Sequence, residues 1–222
     1  MSEPLNLPTL GAQRNIRDQV AEALRAALVA GEMRPGVIYP APALAERFGV
    51  SATPVREAML DLAKEGLVEA VRNKGFRVTE LSEQDLDEIT EIRSLIEIPT
   101  IAKVAETVPA ERVLALRPKA EAIVVAAEAG EILAYIEADQ TFHLDLLALA
   151  GNAHLLGVVR DLRHRSRLYG VANLAQTGEL VDSAREHLGL LDAIASGNSG
   201  SAAELMSHHL RHVRGIWADR PE

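Results

Sequence analysis

The chain contains no cysteine, which excludes disulfides and thiolate-held metals, so any metal must be bound through nitrogen and oxygen. It has no run of about 18 apolar residues, the length a membrane span requires. Met1 to Leu10 lack the basic start and apolar core of a signal peptide, which points to a cytoplasmic location with no membrane contact. There is no internal repeat, and no segment of the second half has a convincing strand pattern. A strong basic excess is missing too, since the net charge is −9. That balance argues against a bulk electrostatic attraction to nucleic acid.

Two separate domains fit into 222 residues, 48% of them apolar, because that composition suffices for two cores. In the first, Ile16, Val20, Leu24 and Leu28 recur every four residues and predict one apolar helix stripe ending near Gly31. Arg34-Pro35-Gly36 is a turn. A short helix then ends at Phe48 and turns at Gly49. Ser51 is placed to cap the next helix through its side-chain oxygen, with Pro54 in the first turn. Val55, Met59 and Leu62 predict the packed face of that helix, and Arg56 projects from another face toward a phosphate or a guanine edge. Gly66 stops the helix. Two short β segments around Asn73-Lys74-Gly75 form a hairpin. The pattern is that of a DNA-binding winged helix over residues 10–79.

Residues 1–80 carry as many basic as acidic side chains, so the whole net charge lies in residues 81–222 together with all seven histidines. DNA binding must therefore depend on a local cluster, Arg56, Arg72, Lys74 and Arg77, and on a dimer. The second domain, 82–218, opens on Ser82-Glu83-Gln84-Asp85, a helix cap with an acid at its third helical position. Helical segments follow, broken near Pro109, Gly130, Gly151, Gly178 and Gly197-Asn198. The expected fold is mainly α, a winged helix-turn-helix followed by an all-α antiparallel bundle.

Within that bundle several polar residues interrupt apolar stripes. Asp139 and His143 share a face with Leu146, Leu147 and Ala150. His187 interrupts Leu180, Ala184, Leu191 and Ile194, and His209 interrupts Ala202, Leu205, Val213 and Ile216. His208 and His212 lie on a solvated face. One buried histidine is ordinarily a hydrogen-bonded core residue. Three helices that each turn a ligand inward favour a divalent metal, zinc or nickel, since burying such groups without a shared partner costs several kcal/mol. Arg93 follows Leu86 and Ile89 on an inward face. It either grips an anionic effector or pairs with Glu97 four residues on. Asn152 and Arg163 share a face of a later helix with Leu156 and Val159, while most of the Arg160 to Arg167 run is solvated. Pro99 predicts a kink near Glu97.

Gly49 to Ala58, then Glu65-Gly66-Leu67-Val68 and the Gly75 hairpin, resemble the winged helix-turn-helix of GntR-family bacterial transcription regulators. The helical half is similar to the ligand-binding domain of the FadR/FCD branch, and the resemblance runs from about Asn15 to His212. It implies that Thr53 and Arg56 contact operator DNA and that Lys74-Gly75 enter the minor groove, with Ser51 and Asn73 completing the DNA-facing set. Ala52 stands where an arginine is usual, and Pro42 where some members have one. The resemblance also implies that Asp139, His143, His187 and His209 are the metal ligands, and that Arg93, Asn152 and Arg163 face a small carboxylate effector. The expected function is a homodimeric, non-enzymatic regulator, a repressor of operator DNA. Two alternatives are a metal-dependent enzyme that uses the same ligand set and a metal-independent regulator with an acyl-ligand pocket.

Overall fold

In the computed structural model, which describes residues 15–166 and 180–217, Asn15 caps α1 (Ile16–Val29) by accepting from the Arg17 amide. Val20, Leu24 and Leu28 are buried as the stripe predicts, whereas Ile16 is exposed because the first turn projects beyond the core. Helix α2 (Ala41–Phe48) ends on Gly49 in the left-handed region at φ 65°, a conformation that costs glycine nothing. Helix α3 (Ala52–Lys64) follows. Ser51 holds the N-cap backbone conformation, but its side chain makes no capping hydrogen bond, which corrects the sequence reading. Of the two amides that a capping oxygen ordinarily meets, Pro54 at the third helical position has none, and the Thr53 amide at the second is not engaged.

Val55, Ala58, Met59 and Leu62 of α3 are fully buried. Strands β2 (Val68–Val71) and β3 (Gly75–Val78) form the expected antiparallel hairpin. A further strand, β1 (Ile38–Tyr39), pairs with the other side of β3, so the sheet order is β1-β3-β2. Two residues are too few to reveal a strand period, and β1 was not anticipated. Asn73 adopts a positive φ of 59°. Gly75 is required outright, because a Cβ there would lie 2.5 Å from the Tyr39 carbonyl oxygen.

The second domain opens with α4 (Glu83–Thr107) on a complete capping box: Ser82 Oγ accepts from the Asp85 amide, and the Asp85 carboxylate accepts from the Ser82 amide. Pro99 lies inside α4 and cannot donate to the Leu95 carbonyl. There follow α5 (Ala110–Leu114), α6 (Arg117–Glu128), α7 (Ile132–Ala148), α8 (Ala153–Ser166), α9 (Leu180–Ala195) and α10 (Ser199–Trp217). The breaks at Pro109, Gly130, Gly151 and Gly197 fall between helices. The one near Gly178 lies outside the described residues, as do residues 10–14 and 218 of the expected domain spans.

Helix α10 packs along α4, α6 along α7, and α9 against both α6 and α10. Ile101, Ile123, Phe142, Leu146, Leu191 and Ile194 fill the core between them. On α10, Leu205 is exposed and Met206 and Leu210 are buried in its place, a rotation of the expected stripe by about one residue. The first domain touches the second where α1 meets α7. Among the described residues, no helix is long and apolar enough to cross a membrane.

Candidate metal centre and nucleic-acid interface

Helix α7 carries Asp139 and His143 one turn apart, α9 carries His187 and α10 carries His209. The packing of α7, α9 and α10 buries all four, with one nitrogen or oxygen from each lying within 4.8 Å of the others. His187 Nδ1 is 3.0 Å from the Ala184 carbonyl oxygen. A carbonyl only accepts, so this nitrogen carries a proton, and in the neutral ring Nε2 presents a lone pair. That lone pair lies 3.1 Å from Asp139 Oδ1 and 3.0 Å from His143 Nε2. His143 Nε2 lies 3.6 Å from the same carboxylate oxygen. Burial first, then Arg163 and the other two histidines, drive His143 well below its ordinary pKa and keep it neutral.

In the neutral ring His187 Nε2 and Asp139 Oδ1 face each other as two acceptors, whereas a protonated ring turns the same contact into an ion pair. A metal cation suits the neutral arrangement, and three imidazoles with one carboxylate are a suitable donor set for zinc or nickel. His209 donates through Nδ1 to Glu186 Oε2 at 2.7 Å, an arrangement that orients a ring for coordination through Nε2. The Phe142 ring packs edge-on against His143 and His187 with centroids 5.3 Å apart. His208 is exposed, with Nε2 3.7 Å from Glu186 Oε1, while the side chain of His212 lies outside the described residues.

A buried ionic network supports this cluster. Arg163 donates to Asp139 Oδ2 at 3.0 Å and to Glu97 Oε2 at 3.2 Å. Arg93 donates through Nε to Glu97 Oε1 at 2.6 Å, so the intrahelical pair is the alternative realised. Burial pushes the Glu97 pKa up, but Arg93 and Arg163 outweigh it and hold the carboxyl ionised. Among the described residues, Arg163 Nε and Ser183 Oγ are buried and meet no hydrogen-bond partner. Asn152 is exposed and accepts from the Leu155 amide at 3.1 Å. It therefore caps α8 and stands apart from the buried network. Glu186 and Ser183 were missed from sequence. Ser183 sits one turn before His187, and that spacing was the available signal.

On the first domain, Ser51, Thr53 and Arg56 are exposed at the start of α3, and Asn73 and Lys74 are exposed at the hairpin tip beside half-buried Gly75. Arg77 is paired with Glu69 at 2.8 Å. The expected cationic cluster is therefore reduced to Arg56, Arg72 and Lys74, because the register places Glu69 directly opposite Arg77.

Residues 16–78 match the family described as bacterial regulatory proteins, gntR family, and residues 88–212 match the FCD domain. The HTH-type transcriptional regulator YdhC of Bacillus subtilis (strain 168) is 30% identical over 198 residues, covering 87% of each chain. A protein of Paenarthrobacter nicotinovorans named "Probable D-xylose utilization operon transcriptional repressor" is 30% identical over 195 residues, covering 88% of this chain and 85% of that one. The structure of E. coli McbR/YncC superposes with a TM-score of 0.71 at 24% identity, covering 93% of this chain and 99% of that one. At that identity it supports the fold alone.

Proposed function

Because the chain belongs to the gntR family of bacterial regulatory proteins and carries an FCD domain, we propose that this DNA-binding transcription regulator is a homodimeric repressor of the FadR branch whose helical domain holds a divalent ion, zinc or nickel, and receives a small carboxylate effector. The convergence of four buried donor groups within 4.8 Å of one another carries this reading. Asp139, His143, His187 and His209 are the ligands. When bound, such an ion supplies a Lewis-acidic position for a carboxylate oxygen.

The chain's own residues do the rest. Arg163 fixes Asp139 through Oδ2, which leaves Oδ1 directed at the cluster. Glu97 binds both guanidiniums and holds them beside the site. Arg163 Nε and Ser183 Oγ supply donors for effector oxygens. In the first domain, Ser51, Thr53 and Arg56 face the major groove, and Asn73, Lys74 and Gly75 enter the minor groove. An effector changes operator affinity only as far as it prefers one relative arrangement of the DNA-binding domains.

The test is elemental analysis of protein purified without chelator, beside the His187→Ala variant. About one divalent ion per chain, lost in the variant, is the expected result. No bound metal in either protein after incubation with zinc and nickel sinks the metal reading.

A further inference from the structure

The two domains line a half-open cavity of about 310 Å³, at the small end of the range for sites that hold organic ligands. Leu67 from the first domain and Leu133 and Ile136 from α7 give it apolar walls. Arg25 and Glu65 line it from the first domain, joined in a two-point ion pair, Nε to Oε2 at 3.1 Å and Nη2 to Oε1 at 2.5 Å. Glu137 adds a second carboxylate from α7. His164 supplies no compensating charge, since burial, its largest influence, pushes its pKa down. Among the described lining residues two carboxylates, Glu65 and Glu137, thus share one cation, Arg25, beside an apolar floor.

None of these residues belongs to the metal cluster or to the DNA-facing set. Yet the cavity lies directly behind the cluster. On α7, Asp139 faces the cluster while its neighbour Gln140 lines the cavity. On α8, Arg163 reaches Asp139 while its neighbour His164 contacts Gln140. Leu133, Ile136, Glu137 and Gln140 recur at helical spacing as one stripe of α7, and Tyr135, Asp139, Phe142 and His143 form the other.

We propose that this interdomain cavity is a second small-molecule site, selective for an amphipathic amine whose ammonium group lies by Glu137 and whose apolar body packs on Leu67, Leu133 and Ile136. Such a ligand touches both domains, so its affinity depends on how they are arranged.

The test is calorimetric titration of the full-length chain with phenethylamine, and with 3-phenylpropionate as the counterpart of opposite charge. Saturable amine binding is expected, weakened about two- to fivefold in Glu137→Gln, as loss of an exposed charge partner implies. It is expected to be abolished in Ile136→Trp, which fills the cavity, and unchanged by a chelator. Should Ile136→Trp fail to fold, the exposed and isosteric Glu137→Gln decides alone. The proposal is overturned if the amine does not bind, if Glu137→Gln or a folded Ile136→Trp binds it as the wild type does, or if phenylpropionate binds in preference. Chelator-sensitive binding also overturns it, by moving the ligand to the metal cluster, whereas an absence of metal leaves it standing.

Discussion

In the first domain charge stays outside: Arg17–Asp18, Lys64–Asp61 and Arg77–Glu69 are surface pairs around a core made of apolar side chains. In the second, charge goes inside. Among the described residues every buried polar or charged side chain belongs to this half, including Arg93, Glu97, Asp139, Arg163 and the three clustered histidines. Buried ions cost several kcal/mol each unless their partners are well placed. The helical domain therefore invests stability in a polar interior that a merely structural bundle has no use for. The winged domain carries its proposed DNA contacts on the exposed face of α3 and at the hairpin tip.

The comparison is broken most severely at Glu97. Replacing it by Ala leaves the Arg93 and Arg163 guanidiniums buried without the carboxylate that holds them. We expect a loss of about 3–5 kcal/mol in urea unfolding, against less than about 1 kcal/mol for Glu69→Ala on the exposed hairpin pair. Equal losses would show that the buried network is not what holds the second domain together. Next is Arg56→Ala. We expect operator affinity to fall by about 1–3 kcal/mol in fluorescence anisotropy at fixed salt, with unfolding free energy changed by no more than about 0.5 kcal/mol. A stability loss without an affinity loss would assign Arg56 to the fold.

The smallest effect is at the domain junction. Hydrogen bonds from Ser82 Oγ and the Ser82 amide hold the Asp85 carboxyl below its ordinary pKa. A carboxylate depressed in the folded state stabilises the protein above its unfolded pKa, about 3.9. That contribution is lost as pH falls through the lower folded value. The Tm difference between wild type and Asp85→Asn should therefore narrow below about pH 4. A difference that is constant from neutral to acid pH would refute the assignment.

Much of this architecture was legible because it rests on local chemistry. Gly49, Gly66 and Gly75 mark turns that only glycine adopts cheaply, and Ser82 with Asp85 spells out a cap. The stripe interrupted by His187 was readable from helical period alone. What escaped depends on contacts distant in sequence. Periodicity placed Arg93 inward, but not Arg163 onto the same Glu97 from 66 residues away. Strand β1 exists only because β3 offers it an edge. Asn152 looked like an inward residue because its spacing fits the stripe of Val159 and Arg163, yet it stands before the helix proper and serves its terminus. Ser51 makes no side-chain cap, and Pro54 withholds one of the two donors it could have used.

The hairpin has one more implication. Strand β3 is the middle strand of three, bonded to β2 on one side and to β1 on the other, and the chain before β1 adds Gly36 N to Val78 O and Val78 N to Val37 O, each at 3.0 Å. Bending the hairpin away from α3 means breaking hydrogen bonds along both edges. On the proposed DNA-facing surface, the tip at Lys74 and the side chain of Arg56 are thus like the two points of a caliper held near one opening. A duplex gripped by both must bring its grooves to that span, so the molecule would rank sequences partly by how cheaply their grooves deform, at base pairs it never touches.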